Sequence, residues 1–494
     1  MDTVHSFAPF AAVLAPLVGA VLILLTGRRR PNLRESWTIL AALAQFLFVY
    51  SMLPPVLRGS VVSFTIVEIY GGLALQLRVD AFGMIFALLA SSLWIVVSIY
   101  SIGYMRSLKE HAQTRFYFCF ALALFGAVGV ALSGNLITLY MFYEILTIST
   151  FPLVAHKETP EAIKAGRKYL AYLLGGAVLV LLAMAMSFDL AGTLDFSPHG
   201  VLVGKGTQGE LRLILALFII GFGTKAAIMP LHEWLPSAMI APTPVSALLH
   251  AVAVVKAGVF CCVRVILFIF GPKAFQGADV WLLLAYVVSI TIILANVIAI
   301  TQDNLKRRLA FSTINNLSVI ILGACLLSPA ALKGAFLHLP FHGFLKITLF
   351  MCAGAIYVKT RKELISEMGG IGRQMPVTMA AFAICASGLV GIPPVCGFIS
   401  KWYLCGGALQ AGELIFLFVF LASAFLDAAY FFPIVYSAFF QGRKAGRVDE
   451  APLSMTLPIA GCAAASLFLG VFPDVFLRFV SLANVAVQAL SGGN

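Results

Sequence analysis

The feature that most constrains this chain is its alternation of long apolar runs with short charged loops, repeated from end to end. A helix rises about 1.5 Å per residue, so a hydrocarbon layer of ~30 Å takes roughly 20 apolar residues to cross. Fourteen such runs can be counted, centred near residues 17, 46, 92, 124, 144, 178, 220, 254, 289, 318, 345, 385, 427 and 466. Backbone amides have no water to bond in lipid, so segments of this kind are helices. The expected fold is an all-α integral membrane protein of about 14 transmembrane helices, in a cell (inner) membrane. Only 11% of the residues are charged, against about 25% in a soluble domain. The run from Phe7 to Leu25 is too long for a signal-peptide core and ends at Arg28-Arg29-Arg30, so it reads as a first span.

Cationic loops test that count, because loops on the cytoplasmic side are enriched in Lys and Arg. With Arg28, Arg29, Arg30 and Arg34 placed inside, every second loop should be basic. The clusters follow: Arg106, Lys109 and Arg115; Lys157, Lys164, Arg167 and Lys168; Lys306, Arg307 and Arg308; Lys359, Arg361, Lys362 and Arg373; Arg443, Lys444 and Arg447. Only the loop near His232 breaks the alternation. Fourteen spans with both termini outside is the consistent count. The same scatter of short clusters argues against nucleic acid as the partner of a chain with net charge +12.

Two spans are interrupted, the seventh by Pro230 and the twelfth by Gly391-Ile-Pro393-Pro394. Paired breaks in corresponding halves point to inverted repeats around a membrane-embedded site. The expected division is 1–110 for spans one to three, 111–270 and 271–440 for two five-helix repeats, and 441–494 for the last span.

Charges inside the apolar runs are the informative residues. The cations are Lys225, Lys256, Arg264, Lys346 and Lys401, and the anions are Glu144 and Asp427. Each costs about 2.5–3.5 kcal/mol at the bilayer centre, so seven would cost roughly 20 kcal/mol, more than the whole stability of a typical domain. Arg264, near a span end, is expected to snorkel to the interface. Glu144 and Lys225 lie too deep for that. Burial favours the neutral amine of a lysine and a nearby carboxylate favours the charged one, so geometry can load and unload its proton. His338, His342 and Lys346 stand at i, i+4 and i+8, nearly one helix face, and form a candidate proton path. The competing reading is polar glue between helices. Lys346 is expected to reach toward wet loops. His250 and Lys256, six residues apart, should face different neighbours.

Nine cysteines lie mostly inside the apolar runs with no CxxC or Cys/His zinc spacing. They read as buried thiols, and no metal or cofactor is expected. No hydrophilic segment is long enough for a nucleotide-binding or redox domain, so energy must come from an ion gradient or a partner subunit.

At these residues the chain resembles the antiporter-like subunits shared by respiratory complex I, energy-converting hydrogenases and Mrp-type multisubunit Na+/H+ antiporters. The matching stretches are Tyr143-Glu144, Lys225-Ala-Ala-Ile-Met-Pro230-Leu-His232-Glu-Trp234-Leu-Pro236, Ala241-Pro-Thr-Pro-Val-Ser-Ala-Leu-Leu-His250 with Lys256-Ala-Gly258, and Gly391-Ile-Pro-Pro-Val-Cys-Gly-Phe-Ile-Ser-Lys401. The resemblance implies a proton path in which Glu144 pairs with Lys225, Lys256 with His250, His338 and His342 form the centre, and Lys401 is the exit. Ser237 and Met239 stand where the family often has an acidic residue and a histidine. With no long amphipathic helix after the fourteenth run, the chain is similar to the D-type member of Mrp antiporters rather than to the distal antiporter-like member of complex I. The implied function is proton translocation within a multisubunit membrane complex, exchanging H+ for a cation such as Na+, or pumping H+ under redox drive. A stand-alone carrier for an organic solute and a passive scaffold are the other classes, and neither accounts for the buried lysines.

Overall fold

The computed structural model describes residues 2–27, 29–69, 73–275, 279–442 and 448–491. Arg28, Arg443, Lys444 and Arg447 of the basic loops lie outside the described residues. The helices, numbered by span, are α1 Ala8–Thr26, α2 Pro31–Ser51, α3 Ala81–Leu108, α4 Gln113–Ala131, α5 Leu136–Val154, α6 Pro160–Ala191 and α7 Gln208–Ala226. There follow α8 Thr243–Phe270, α9 Asp279–Thr301, α10 Leu305–Cys325, α11 Pro329–Thr360, α12a Pro376–Val390 with α12b Gly397–Gln410, α13 Leu414–Phe440, α14 Leu453–Val471 and α15 Phe479–Ser491. Among the described residues twelve helices are long and apolar enough to cross a membrane. The two other expected spans are the interrupted ones: α7 carries Glu210, Arg212 and Lys225, and the twelfth is split in two.

Burial divides the bundle. α8 is wholly buried and α10 and α11 nearly so, while α1, α2, α6 and α13 leave more than half of their apolar stretch uncovered. Large apolar side chains such as Leu25, Val178, Ile290 and Phe425 stand exposed on the outer helices, as a lipid-facing surface requires. Around α8 the packing is close. A Cβ on Gly258 would lie 2.4 Å from the Ala226 nitrogen and 2.7 Å from the Lys225 carbonyl carbon. These are backbone atoms that cannot swing aside. Gly258→Val should therefore lower the melting temperature of the detergent-purified protein, by an overpacking cost of about 1–3 kcal/mol.

The two halves repeat one another. Asn135 and Asn304 cap α5 and α10 by accepting from the backbone of Thr138 and Arg307. Leu136 N–H donates to Leu194 O at 3.0 Å, and Leu305 N–H to Glu363 O at 2.9 Å. α6 and α11 are both 32 residues long, each entered through a hydroxyl cap, Thr159 or Ser328, and a proline. The breaks match too. Ile228 and Ala227 donate to Gly223 O and Thr224 O, and Ile392 and Gly391 to Ser387 O and Gly388 O, the double bond of a helix ended by a left-handed residue. Gly391 takes that conformation freely at φ 99°, whereas Ala227 at φ 60° does so at a cost of roughly 1–2 kcal/mol. Five spans, an odd number, separate the equivalents, so they cross in opposite directions.

Three features go beyond the expected helices. Strands β1 Thr3–His5, β2 Val61–Glu68 and β3 Ala74–Val79 form a small sheet, parallel between β1 and β2 and antiparallel between β2 and β3. The eighth span is itself interrupted, with π-turns at Leu248–Val252 and Val265–Phe270 and a kink at Ala253. α15 buries Phe479, Leu482, Ala483, Ala486 and Leu490 on one face, against α3 and α11.

Candidate functional site

The breaks and kinks place a row of ionisable groups through the buried centre. At one end, Lys225 sits in the last turn of α7 and is fully buried. Its amine donates to Tyr143 O and Thr147 Oγ1, both at 2.8 Å, and lies over the Tyr143 ring. Glu144 is not in that contact. Tyr143 and Thr147 share one face of α5, while Glu144 lies about 100° round the helix, nearer exposed Ile148. Its Oε1 is nonetheless enclosed without a hydrogen-bond partner. The implied Glu144–Lys225 pair is thus two neighbours on adjacent faces rather than a closed ion pair.

At the centre, Lys256 donates to Leu339 O at 2.8 Å and lies 2.8 Å from His342 Nδ1. With Lys256 protonated, Nδ1 accepts, which puts the neutral imidazole's proton on Nε2, and that nitrogen is buried without a partner. His250, on the π-turn of α8, stacks on Phe350 with neither ring nitrogen bonded. His250 and Lys256 do face different neighbours.

His338 stands 5.9 Å from His342, ring centre to ring centre. Its Nε2 lies 3.1 Å from Asn316 Oδ1, and the Asn316 amide is oriented by donating to Ser312 O. Nε2 must therefore be a donor. Nδ1 faces Ser400 Oγ at 2.9 Å, and that hydroxyl also lies 3.0 Å from Gly397 O. A single hydroxyl proton can go to either. Pointed at His338 it suits the neutral ring; pointed at Gly397 O it leaves Nδ1 to donate and suits the charged ring. The same frame holds both protonation states without moving a heavy atom.

Lys346 does not reach wet loops. It is fully buried, donating to Leu309 O at 3.1 Å, because α11 is enclosed along nearly all its length. Lys401 on α12b bonds Asp427 Oδ2 at 2.9 Å and takes the terminal carbonyls of α12a, Leu389 O and Val390 O, across the break. Those carbonyls are left over where a helix ends and favour a cation. Asp427 Oδ1 accepts from Tyr430 and from Asn315 Nδ2, and Asn315 accepts from Ser423. Asp427, Asn315, Asn316 and Ser400 are members of the site that sequence reasoning alone does not assign. The signals that point to them are the charge of Asp427 and the adjacent asparagines, each inside an apolar run.

Arg264 departs from expectation. Its guanidinium is bonded at both ends by Asp80 and lies 4.4–5.2 Å from the ring centres of Phe82, Phe196, Phe260 and Phe268, with a side chain 1% exposed. Burial alone would raise the Asp80 carboxyl, but Arg264 and the Gly83 amide hold it below the usual range. This pair locks α8 to the start of α3 and is separate from the row.

The chain matches the family model described as NADH:quinone oxidoreductase/Mrp antiporter over residues 133–426, and that of the N-terminus of complex I chain 5 over 71–117. It is 31% identical to NADH-quinone oxidoreductase subunit N of Desulforudis audaxviator, over 77% of this chain and 79% of that one. It is also 31% identical to subunit L of Mycobacterium tuberculosis, over 93% of this chain and 74% of that one. Identity to the A-type component of the Na(+)/H(+) antiporter of Alkalihalophilus pseudofirmus is 30%, over 97% of this chain and 62% of that one. Among solved structures, a chain of the Mrp complex from Dietzia sp. superposes with TM-score 0.87 at 20% identity, covering 98% of this chain and 99% of that one. A chain of the membrane-bound sulfane sulfur reductase does so with TM-score 0.86 at 24% identity, covering 99% of both. A buried row of lysines and histidines, set on a repeated helical bundle with broken helices, thus belongs to a chain of the NADH:quinone oxidoreductase/Mrp antiporter membrane family.

Proposed function

We propose that this chain conducts protons along Glu144, Lys225, Lys256 with His250, His342, His338, Lys346, and Lys401 with Asp427, as one membrane component of a larger complex in the cell inner membrane. The observation that carries the reading is the row itself. Titratable groups from α5, α7, α8, α11, α12b and α13 meet in a buried interior, and orphaned polar atoms on Glu144, His250 and His342 mark the gaps between them. Buried polar atoms are almost always hydrogen-bonded, and water is the partner that also completes a proton wire. The setting we favour is the D-type position of an Mrp-type antiporter, with H+ exchanged for a monovalent cation such as Na+. The second reading, a pumping component of a complex I-like or hydrogenase-like enzyme, is favoured by the identity to NADH-quinone oxidoreductase subunits N and L.

The test is the Glu144→Gln variant in the assembled complex, measured by proton flux in inverted vesicles. Gln keeps the shape but not the charge that acts on Lys225. Transport should fall to background at normal abundance of the chain. Full transport in a normally assembled variant removes Glu144 from the path. Flux driven by an imposed Na+ gradient supports the antiporter setting, and flux that needs an electron donor supports the other.

A further inference from the structure

Away from the row, two helix-connecting turns bring together residues that the proton path does not use. Glu110 and His111 lie in the α3–α4 turn, and His156 lies in the α5–α6 turn. One donor atom from each falls within 4.8 Å of the others. His156 Nε2 is 3.9 Å from Glu110 Oε2, and the two imidazoles are 4.9 Å apart at their centres. The side chain of His156 is 0% exposed, yet neither ring nitrogen has a hydrogen-bond partner. Leaving a buried polar group unpaired is costly, and here the ring is held between His111 and Phe116 with its Nε2 toward Glu110. Glu158 is engaged by Arg115, with its Oε2 3.9 Å from His111 Nε2.

We propose that Glu110, His111 and His156 bind a divalent transition-metal ion of the Zn2+ class, tying the α3–α4 turn to the α5–α6 turn. Two imidazoles and a carboxylate are donors that suit Zn2+, whereas Mg2+ and Ca2+ take all-oxygen sets. A tetrahedral zinc site holds its donors about 3.3 Å apart, so the three must close by roughly an ångström. His111, half exposed, has the rotamer freedom to do this around a fixed His156, and Glu110, 16% exposed, already lies 3.9 Å from His156 Nε2. Water takes the fourth position. The ligands come from two turns, which is why no spacing motif announces them. The consequence is mechanical: α5 carries Glu144 and ends at Val154, two residues before His156, so the ion would hold that helix against the neighbouring hairpin.

The experiment uses the full chain, tag removed, in detergent and washed with chelator. Zn2+ binding is read by equilibrium dialysis, and Co2+ is added as a spectroscopic probe. The expected result is one Zn2+ per chain and visible Co2+ bands of a low-coordinate site with nitrogen donors, both abolished by excess Zn2+-selective chelator. His111→Ala and Glu110→Gln should weaken binding by at least about tenfold, the lower end of the loss seen even for outer-shell changes. His156→Gln should do the same where it folds. A chain that retains no stoichiometric Zn2+, or unchanged affinity in both the His111 and the Glu110 variants, overturns the site.

Discussion

Lys225→Arg and Lys401→Arg should assemble normally and lose proton transport as completely as the corresponding alanine variants. Arginine preserves the positive charge, but a guanidinium keeps its proton at every accessible pH, whereas an amine can release it. The two lysines sit in different frames. Lys225 is held by two neutral oxygens and an aromatic face, with its carboxylate neighbour one helix face away. Lys401 is held by Asp427 and two helix-end carbonyls. A positioned group that transfers protons typically contributes on the order of 100-fold or more to rate, so both Arg variants should fall to the background of vesicles lacking the complex. The measurement is ion-driven acidification in inverted vesicles, with abundance of the chain checked by blot. Wild-type rates in both Arg variants would show that the lysines act only as fixed counter-charges. Lys346, enclosed as it is, should follow Lys225 rather than show the partial loss expected of a residue near water.

The span count and the breaks are legible in the sequence because lipid imposes one dominant pattern. An apolar run of the right length, a basic loop at every second turn and a proline at membrane depth each have few explanations. Lys225, Lys256, Lys346 and Lys401 stand out for the same reason, since charge in an apolar run is costly. What stays hidden depends on rotation and on contacts between distant segments. Glu144 and Tyr143 are adjacent in sequence, and only the packed helix shows that Lys225 chooses the Tyr143 face. The π-turns around His250 leave no mark, because Leu248–Val252 and Val265–Phe270 read as ordinary apolar helix. The strand pairing of Thr3–His5 with Val61–Ser63 joins segments separated by two spans. Asn315, Asn316 and Ser400 are neutral, so they stand out less than a charge in an apolar run. Arg264 reads as a snorkelling residue because nothing local shows that Asp80 and four phenylalanines will close around it.

Asp427→Asn should abolish transport at the exit end, although the sequence marks that residue only as a charge inside an apolar run. Its carboxylate is fully buried and holds Lys401, Tyr430 and Asn315 at once. Removing one partner of a buried pair costs about 3–5 kcal/mol when the other stays charged. Lys401 can avoid that cost by staying neutral, and a permanently neutral amine cannot take part in proton exchange. The Asn variant should therefore assemble, keep its hydrogen bond to Tyr430 through the amide oxygen, and conduct no protons. Asp427→Ala, which also orphans Tyr430 and Asn315, should in addition lower the abundance of the assembled chain. The double variant Asp427→Asn with Lys401→Gln separates structure from transport, because it removes both charges and leaves no unpaired ion. Abundance and melting temperature should stand at wild-type levels while flux stays at background. If flux returns with them, the pair is a structural clamp and the exit lies elsewhere. Flux near wild-type in the single Asn variant would likewise exclude Asp427 from the path.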